Sequence, residues 1–353
     1  MRLARADGAF RLQTPEGVEQ AIALAPTNTS YLAFRALQLD YEGADPEPLL
    51  RRVGDLNPRS SAPRIRLALN AELRGDSAAA ERLLLEAYSV DRQFETRWTL
   101  ANYYLRQGRN DKFWTWIRNA LEMSYGDRRP AFELCWRISP DGREILAKAI
   151  PDREPVVADY LAFILDRRDV DSVTPAALKL ARSNSSSAAL LNAAVDFLLD
   201  KLRGVDAMEV WEQMGLQAQG IGDPNMQRPG HGFAWREVAA EGVTHLVLDA
   251  PAGHRIRLSG KQPQSVELLR KFLPLRVGAH YRIRWESHTD GLPPESGLEW
   301  RFDGHTIAFE KNGFEMKASS DLSVLALVYV RPLGQVRAEG SVDLRNVAIE
   351  EIR

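Results

Sequence analysis

The spacing between two glycines most constrains what this chain can fold into. Gly75 and Gly108 are 33 positions apart, and the same interval separates Ala87 from Ala120. A period of about 34 residues is typical of repeats in which two helices joined by a tight turn form one unit. Each glycine falls where a first helix would end, and each alanine falls where two helices would cross closely. The spacing therefore predicts stacked helix pairs.

The stretch around Gly108 also carries a family resemblance. It reads TRWTLANYYLRQGRNDKFWTWIRNALEMSY, and the residues in family positions are Leu100, Ala101, Tyr104, Phe113, Ile117 and Ala120. This pattern resembles a tetratricopeptide (TPR) repeat. The resemblance implies an α-solenoid of TPR-like helix pairs whose groove docks a protein partner.

The inner face of the first helix in each pair is where the resemblance places partner-binding residues. In the clearest repeat these are Glu95, Trp98, Asn102 and Arg106. The first helices of the neighbouring repeats contribute an apolar surface made of Ala33, Leu37, Ile65 and Leu69. Trp98 is equally compatible with two roles, packing in the interior and binding a partner.

Helical patterns extend over residues 1–216 and predict eleven or twelve helices. Thr14 and Pro15 form a typical helix start, and residues 15–25 read as the last helix of an incomplete repeat. Thr174 and Pro175 form a second such start. The first thirteen residues form a basic segment without an apolar stretch, which is either a plain terminus or what remains after removal of an anchor.

The pattern changes after a segment rich in glycine and proline. Residues 217–231 therefore read as a linker, and residues 232–353 read as eight or nine short strands with alternating apolar and polar positions. Strands at such short intervals predict a C-terminal antiparallel β-sandwich. The predicted fold class is thus multidomain, with helical repeats followed by a sandwich.

The strand domain resembles the jelly roll of carbohydrate-binding modules, which overlap in shape with galactose-binding-like domains. The resemblance rests on the segment VELLRKFLPLRVGAHYRIRWESHTDG and on the closing strand SVDLRNVAIEEI. It implies contact with a glycan or an acidic polysaccharide. A resemblance of fold does not by itself transfer function.

Strand alternation predicts one face rich in arginine. The polar positions of three predicted strands are Arg255, Arg257, Arg282, Arg284, Glu286, Glu299 and Arg301. If these strands were neighbours, the guanidinium groups would form forked hydrogen bonds to hydroxyls, carboxylates or phosphates. The alternative is that arginine and glutamate form solvated ion pairs across strands. Trp285 and Trp300 fall on the apolar side and are predicted core, whereas Trp235 and Tyr329 are the candidate aromatic platforms for a sugar.

The sequence offers little support for catalysis or for a metal. Six histidines are scattered between positions 231 and 305 without metal-ligand spacing, and the single Cys135 lies between large apolar residues. Glu286 and Glu299 would serve as acid and base only if they faced each other across a cleft. A net charge of −2 argues against a general nucleic-acid binder, and no stretch is apolar enough for membrane insertion. No cofactor is expected.

Three functions follow as hypotheses. The first is a non-enzymatic scaffold in which the helices dock a protein and the sandwich contacts a glycan, with a bacterial cell envelope as the setting. The second is an intracellular adaptor with a structural β cap. The third is a carbohydrate-active enzyme with a site at the domain junction.

Overall fold

The structure is a computed structural model that describes residues 1–183, 187–217, 222–293 and 295–352. The described helices are α1 (Arg2–Phe10), α2 (Pro15–Leu24), α3 (Thr29–Tyr41), α4 (Glu47–Leu56), α5 (Ala62–Leu73), α6 (Ser77–Val90), α7 (Phe94–Arg106), α8 (Asn110–Glu122), α9 (Arg129–Ile138), α10 (Gly142–Lys148), α11 (Glu154–Arg167), α12 (Val170–Ala181), α13 (Ala188–Asp200) and α14 (Gly204–Gln213). The described strands are β1 (Arg236–Glu237), β2 (Val243–Asp249), β3 (Ala252–Ser259), β4 (Ser265–Pro274), β5 (His280–Asp290), β6 (Leu298–Phe302), β7 (His305–Ala308), β8 (Gly313–Lys317), β9 (Leu322–Val330) and β10 (Glu339–Ile352). The predicted fold class, helical repeats followed by an antiparallel sandwich, is confirmed.

The chain forms two compact units, Met1–Val156 and Val157–Arg353. The change from helix to strand lies elsewhere, between the end of α14 and the start of β1. The second unit therefore contains most of α11, helices α12 to α14 and the whole sandwich. The predicted linker, residues 217–231, lies between α14 and β1, and residues 218–221 of it are outside the described residues. The predicted domain division therefore stays a prediction.

Three glycines end the first helices of the repeats in the first unit. Gly43, Gly75 and Gly108 have φ angles of 73°, 81° and 69°, which glycine adopts without steric cost. After each glycine, the next amide donates a hydrogen bond to a carbonyl five residues earlier, over 2.8, 2.9 and 2.9 Å. This is the Schellman arrangement, which satisfies carbonyls left over at the helix end. The 33-residue spacing between Gly75 and Gly108 thus reflects a turn of the same kind at the end of each first helix.

Small residues lie where the repeat helices pack. Ala36, Ala68 and Ala101 are buried in the first helices, and Ala87 and Ala120 are buried in the second helices. Without bulky side chains at these points, the helix axes can approach closely. Around the last pair, the buried aromatic rings of Tyr103, Tyr104 and Phe113 fill the remaining space.

The structure of the amino-terminal segment differs from the predicted incomplete repeat. Residues 2–10 form α1, which pairs with α2, so the first repeat is a complete helix pair. Ala6 is buried, and Asp7 accepts a hydrogen bond from the hydroxyl of Tyr31. The predicted cap at Thr14 is confirmed, since its hydroxyl oxygen accepts from the amide of Gly17 over 3.1 Å.

Two further helix predictions were wrong. The described part of the chain contains fourteen helices, where eleven or twelve were predicted, and one of the additional helices is α1. Pro175 does not open a helix: α12 begins at Val170 and Pro175 lies inside it. Burial of Val173 and Ala176 on the same side of α12 favours continuation of the helix around the proline.

Two antiparallel five-stranded sheets form the sandwich. The first sheet has the strand order β1-β4-β9-β6-β7, and the second sheet has the order β2-β3-β10-β5-β8. Side chains from both inner faces form one core, including Ile256, Trp285, Trp300, Leu327 and Val342. The predicted core positions of Trp285 and Trp300 are confirmed.

Within the second unit, helix α13 forms hydrogen bonds and ion pairs with strand β1 and with the segment just before it. Both carboxylate oxygens of Asp196 are used: one accepts from the amide of Gly232 over 2.7 Å, and the other lies 2.7 Å from Nδ1 of His231. Arg236 of β1 also reaches Asp196, at 2.6 Å. These contacts fix the segment that leads into β1.

Candidate functional site

A groove of about 380 Å³ lies between α3, α4 and α5 in the first unit. Its described lining combines small or aliphatic residues with neutral polar residues and one arginine: Thr29, Ser30, Ala33, Ala36, Leu37, Leu50, Val53, Asn57, Ser60, Ala62, Pro63 and Arg66. Ala33 and Leu37 were both predicted to belong to an inner apolar surface. Leu69 is half-buried and Ile65 is buried, and neither lines this groove.

The floor of the groove is apolar. Ala36 and Leu50 belong to a small core cluster, whereas Leu37 keeps 38% of its surface exposed. The hydroxyl and amide groups of the lining, from Thr29, Ser60 and Asn57 among others, can exchange hydrogen bonds with a bound backbone. Arg66 forms an ion pair with Asp40, so the guanidinium of Arg66 is less available to bind an acidic ligand. The groove therefore suits an apolar side chain carried on a polar backbone.

The described lining of the groove contains hydroxyl groups but no acidic, imidazole or thiol side chain. Among the described residues that line it, none is a histidine, cysteine, aspartate or glutamate. General acid–base catalysis most often uses such side chains.

Sequence reasoning missed the contribution of α4 to this groove. Leu50 and Val53 are three positions apart on one face of α4, and Asn57 and Ser60 follow its end. The early end of α4 was visible in the sequence as an unusually short second helix. That shortness was the available signal that the repeat is irregular here.

The predicted partner-binding residues of α7 share one side of that helix but are partly engaged within the protein. Trp98 stacks on Phe94 with ring centroids 5.9 Å apart, and Asn102 donates to the carbonyl of Trp98 over 2.9 Å. Arg106 forms a two-point ion pair with Glu72 of α5, and Glu95 is exposed. Partner binding at these four residues stays a prediction.

The predicted arginine face is only partly assembled. Arg255 and Arg257 of β3, and Arg282, Arg284 and Glu286 of β5, lie on the outer face of the second sheet, with β10 between the two strands. Arg301 and Glu299 belong to β6 of the first sheet. The prediction of a single face was therefore wrong for these last two residues, because alternation within a strand does not decide which strand is its neighbour.

Most of these arginines are paired with carboxylates. Arg255 forms a two-point pair with Asp343 at 2.6 and 2.8 Å. Arg284 contacts Glu350 at 2.7 Å, and Arg282 contacts Glu315 at 2.6 Å. Arg301 pairs with Glu299 of its own strand. Cross-strand and local ion pairs thus account for four of the five arginines, as in the alternative that the sequence left open.

The aromatic platform predictions were wrong. Trp235 and Tyr329 are both 0% exposed. Trp235 packs beside Trp300, with ring centroids 6.2 Å apart, and the hydroxyl oxygen of Tyr329 accepts from the amide of Ala338 over 2.9 Å. Both rings fill the space between the two sheets, where no sugar could stack on them.

Two further expectations concerned catalysis and reactivity. Glu286 and Glu299 belong to different sheets, so they do not form a pair across one face. Cys135 is buried as predicted, and burial raises the pKa of its thiol to about 12.

The fold and these surfaces define a helical-repeat protein that carries a two-sheet β-sandwich. No protein-family model matches the chain, and no curated protein matches it significantly. Among solved structures, the Cut9–Hcn1 hetero-tetramer of the APC/C has a similar chain, with 12% identity and a TM-score of 0.30 over 57% of this chain and 35% of that chain. This chain thus spans about a third of that protein's length.

Two other solved structures are similar to parts of the chain. YrrB, described as a TPR protein with an unusual peptide-binding site, is 9% identical with a TM-score of 0.29 over 57% of this chain and 92% of that chain. A CBM4 structure is 10% identical with a TM-score of 0.22 over 37% of this chain and 99% of that chain. Likenesses this low transfer no function to this chain.

None of the helices among the described residues combines the length and the apolar character needed to cross a membrane.

Proposed function

We propose that this chain is a non-enzymatic scaffold protein that docks a protein partner in the groove between α3, α4 and α5. The observation that carries the proposal is the groove itself, which has an apolar floor, a mostly uncharged polar lining and a partly exposed Leu37. An exposed leucine beside other apolar groups is best stabilised by an apolar partner side chain.

The chemistry of the groove defines the partner. It is a peptide segment that inserts an aliphatic side chain over Ala33 and Leu37 and offers backbone groups to the polar lining. Small residues in the floor leave room for the inserted group, and the ion pair between Arg66 and Asp40 leaves little net charge to attract an acidic segment. Affinity should therefore depend weakly on salt.

Selection of peptides from a random phage-displayed library on the full chain tests this proposal. The selected peptide is then titrated by fluorescence anisotropy against the native chain and two variants. Leu37→Glu places a charge in the groove and should weaken binding at least about tenfold, or about 1.4 kcal/mol. Leu73→Glu is the matched control, because Leu73 is 87% exposed and lies outside the groove. Equal binding by both variants would refute the groove as the docking site.

The outer face of the second sheet is a second candidate, for an acidic glycan in a cell-envelope setting. Its support is that Arg257, Arg284 and Glu286 are exposed on the same face, and that Arg257 has no ion pair with any described residue. An uronic-acid oligosaccharide titrated by calorimetry should bind at least about tenfold more weakly to Arg257→Ala/Arg284→Ala. Arg301→Ala, on the first sheet, is the control. Full binding by the double variant would remove this candidate.

A further inference from the structure

Three side chains meet at one open edge of the sandwich. Glu237 is on β1, the edge strand of the first sheet, and His245 and His254 are on the β2–β3 hairpin, at the edge of the second sheet. One potential ligand atom from each of the three lies within 4.8 Å of the other two. The cluster therefore bridges the two sheets where neither has a further strand.

The hairpin register brings the two histidines together. His245 is opposite Ile256, and His254 is opposite Val247, so the histidines lie on the same face, diagonally across the two strands. Nδ1 of His245 is 3.2 Å from Nε2 of His254, and that same Nε2 is 3.6 Å from a carboxylate oxygen of Glu237. Two ligands held at 2.0–2.1 Å from a tetrahedral ion are about 3.3–3.4 Å apart. The two separations from Nε2 of His254, 3.2 and 3.6 Å, are within about 0.3 Å of that requirement.

The two imidazoles differ in burial and in the contacts of their second ring nitrogens. Burial lowers the pKa of His245 and of His254, against the opposing charge of Glu237. Nε2 of His245 faces the carbonyl of Val238 at 3.4 Å, which suits a ring that donates there and turns its Nδ1 lone pair to an ion. His254 is 0% exposed; the backbone of Met226 acts on its pKa, but its Nδ1 has no hydrogen bond of good geometry to any described group.

We propose that Glu237, His245 and His254 bind a divalent transition-metal ion, with zinc as the first choice, and that the ion clips the edges of the two sheets together. Two imidazoles and one carboxylate are a ligand set that zinc accepts, with water completing the coordination. The exposed side of Glu237 gives the ion a path to the site.

Zinc titration of the full chain, prepared without a histidine tag, tests the proposal. The native chain should bind one zinc ion per molecule in competition with a chromophoric chelator. His245→Asn should lower the affinity more than about 100-fold, and Glu237→Gln should lower it at least about tenfold. Zinc should raise the melting temperature of the native chain and leave that of His245→Asn unchanged.

Matched control variants distinguish zinc binding at this cluster from zinc binding by other side chains on the surface. His305→Gln and Glu241→Gln change exposed residues outside the cluster and should keep native zinc affinity. Circular dichroism without zinc checks that each variant is folded. An absence of bound zinc would overturn the proposal and leave the His245–His254 contact as a hydrogen bond between neutral imidazoles. Equal losses in His305→Gln and His245→Asn would also overturn it.

Discussion

Tyr104 of α7 donates its phenolic hydrogen to a carboxylate oxygen of Glu81 in α6 over 2.9 Å. The same carboxylate accepts from Lys112 of α8 at 2.7 Å and from Arg109 at 2.6 Å. One carboxylate thus joins three consecutive helices of the repeat. The hydrogen bond from Lys112, with those from Tyr104 and Arg109, lowers the pKa of Glu81 to about 2, against the opposing effect of burial.

Loss of this carboxylate should destabilise the repeat in a pH-dependent way. Glu81→Gln is expected to lower the free energy of unfolding at pH 7 by about 1–2 kcal/mol, after allowance for solvent screening. Because the folded pKa is lowered, the stabilisation is present above pH 4.5 and is lost as the pH falls from 4.5 towards 2. Urea unfolding at pH 7 and pH 2.5 measures both values. Glu86→Gln, at an exposed ion pair of 3.8 Å, should change stability by less than about 0.5 kcal/mol. A pH-independent loss would contradict the assignment.

The same substitution at two glycines should have opposite effects. Gly75 has a φ of 81°, and an added Cβ would meet no atom within 4 Å, so Gly75→Ala costs backbone strain alone, about 1 kcal/mol. Gly8 lies inside α1 with equally open surroundings, and Gly8→Ala should stabilise by about 0.5–1 kcal/mol. Thermal unfolding of both variants measures the difference. A stabilising Gly75→Ala would show that the turn can be rebuilt without a left-handed residue.

A buried lysine should make the sandwich more stable at alkaline pH. Lys271 is buried, its ammonium donates to the carbonyl of Phe233 over 2.8 Å, and burial lowers its pKa to about 8. Between pH 8 and pH 10.5 the unfolded chain binds the proton that the folded chain has released, so stability rises with pH in this window. Lys271→Met should remove that rise. Chemical unfolding of both proteins at pH 7.5, 9 and 10.5 measures it, and parallel pH profiles would contradict the prediction.

Cys135 should react only when its surroundings open. The side chain is buried and burial raises the pKa of the thiol to about 12, so almost no thiolate forms at pH 8. Labelling by an aromatic disulfide reagent should therefore be slow and should accelerate with added urea. A Cys135→Ser/Ser89→Cys variant, with the thiol on the exposed end of α6, should label rapidly under the same conditions. Equal rates without urea would show that Cys135 is accessible.

Local patterns were sufficient for much of the fold. The interval between Gly75 and Gly108 predicted a repeated turn, since only a residue that tolerates positive φ closes a helix in this way. The alternation of residues along β5 and β6 correctly predicted that Trp285 and Trp300 face the core and that the neighbouring arginines lie on the opposite face. Both signals depend on neighbours within a few residues, which the sequence displays directly.

Neighbour relations between strands were decided by the tertiary structure. Arg301 lies in the first sheet and Arg284 in the second, Trp235 fills the core, and the hairpin register places His245 and His254 beside each other. The alternation of apolar and polar residues predicts which side of a strand a residue occupies. Which strands pair depends on how the apolar surfaces of all the strands are buried together. The sequence by itself therefore determined the order of helices and strands and the inner and outer faces of β5 and β6. The groove of α3 to α5 and the cluster at the sheet edges arose only when distant segments packed together.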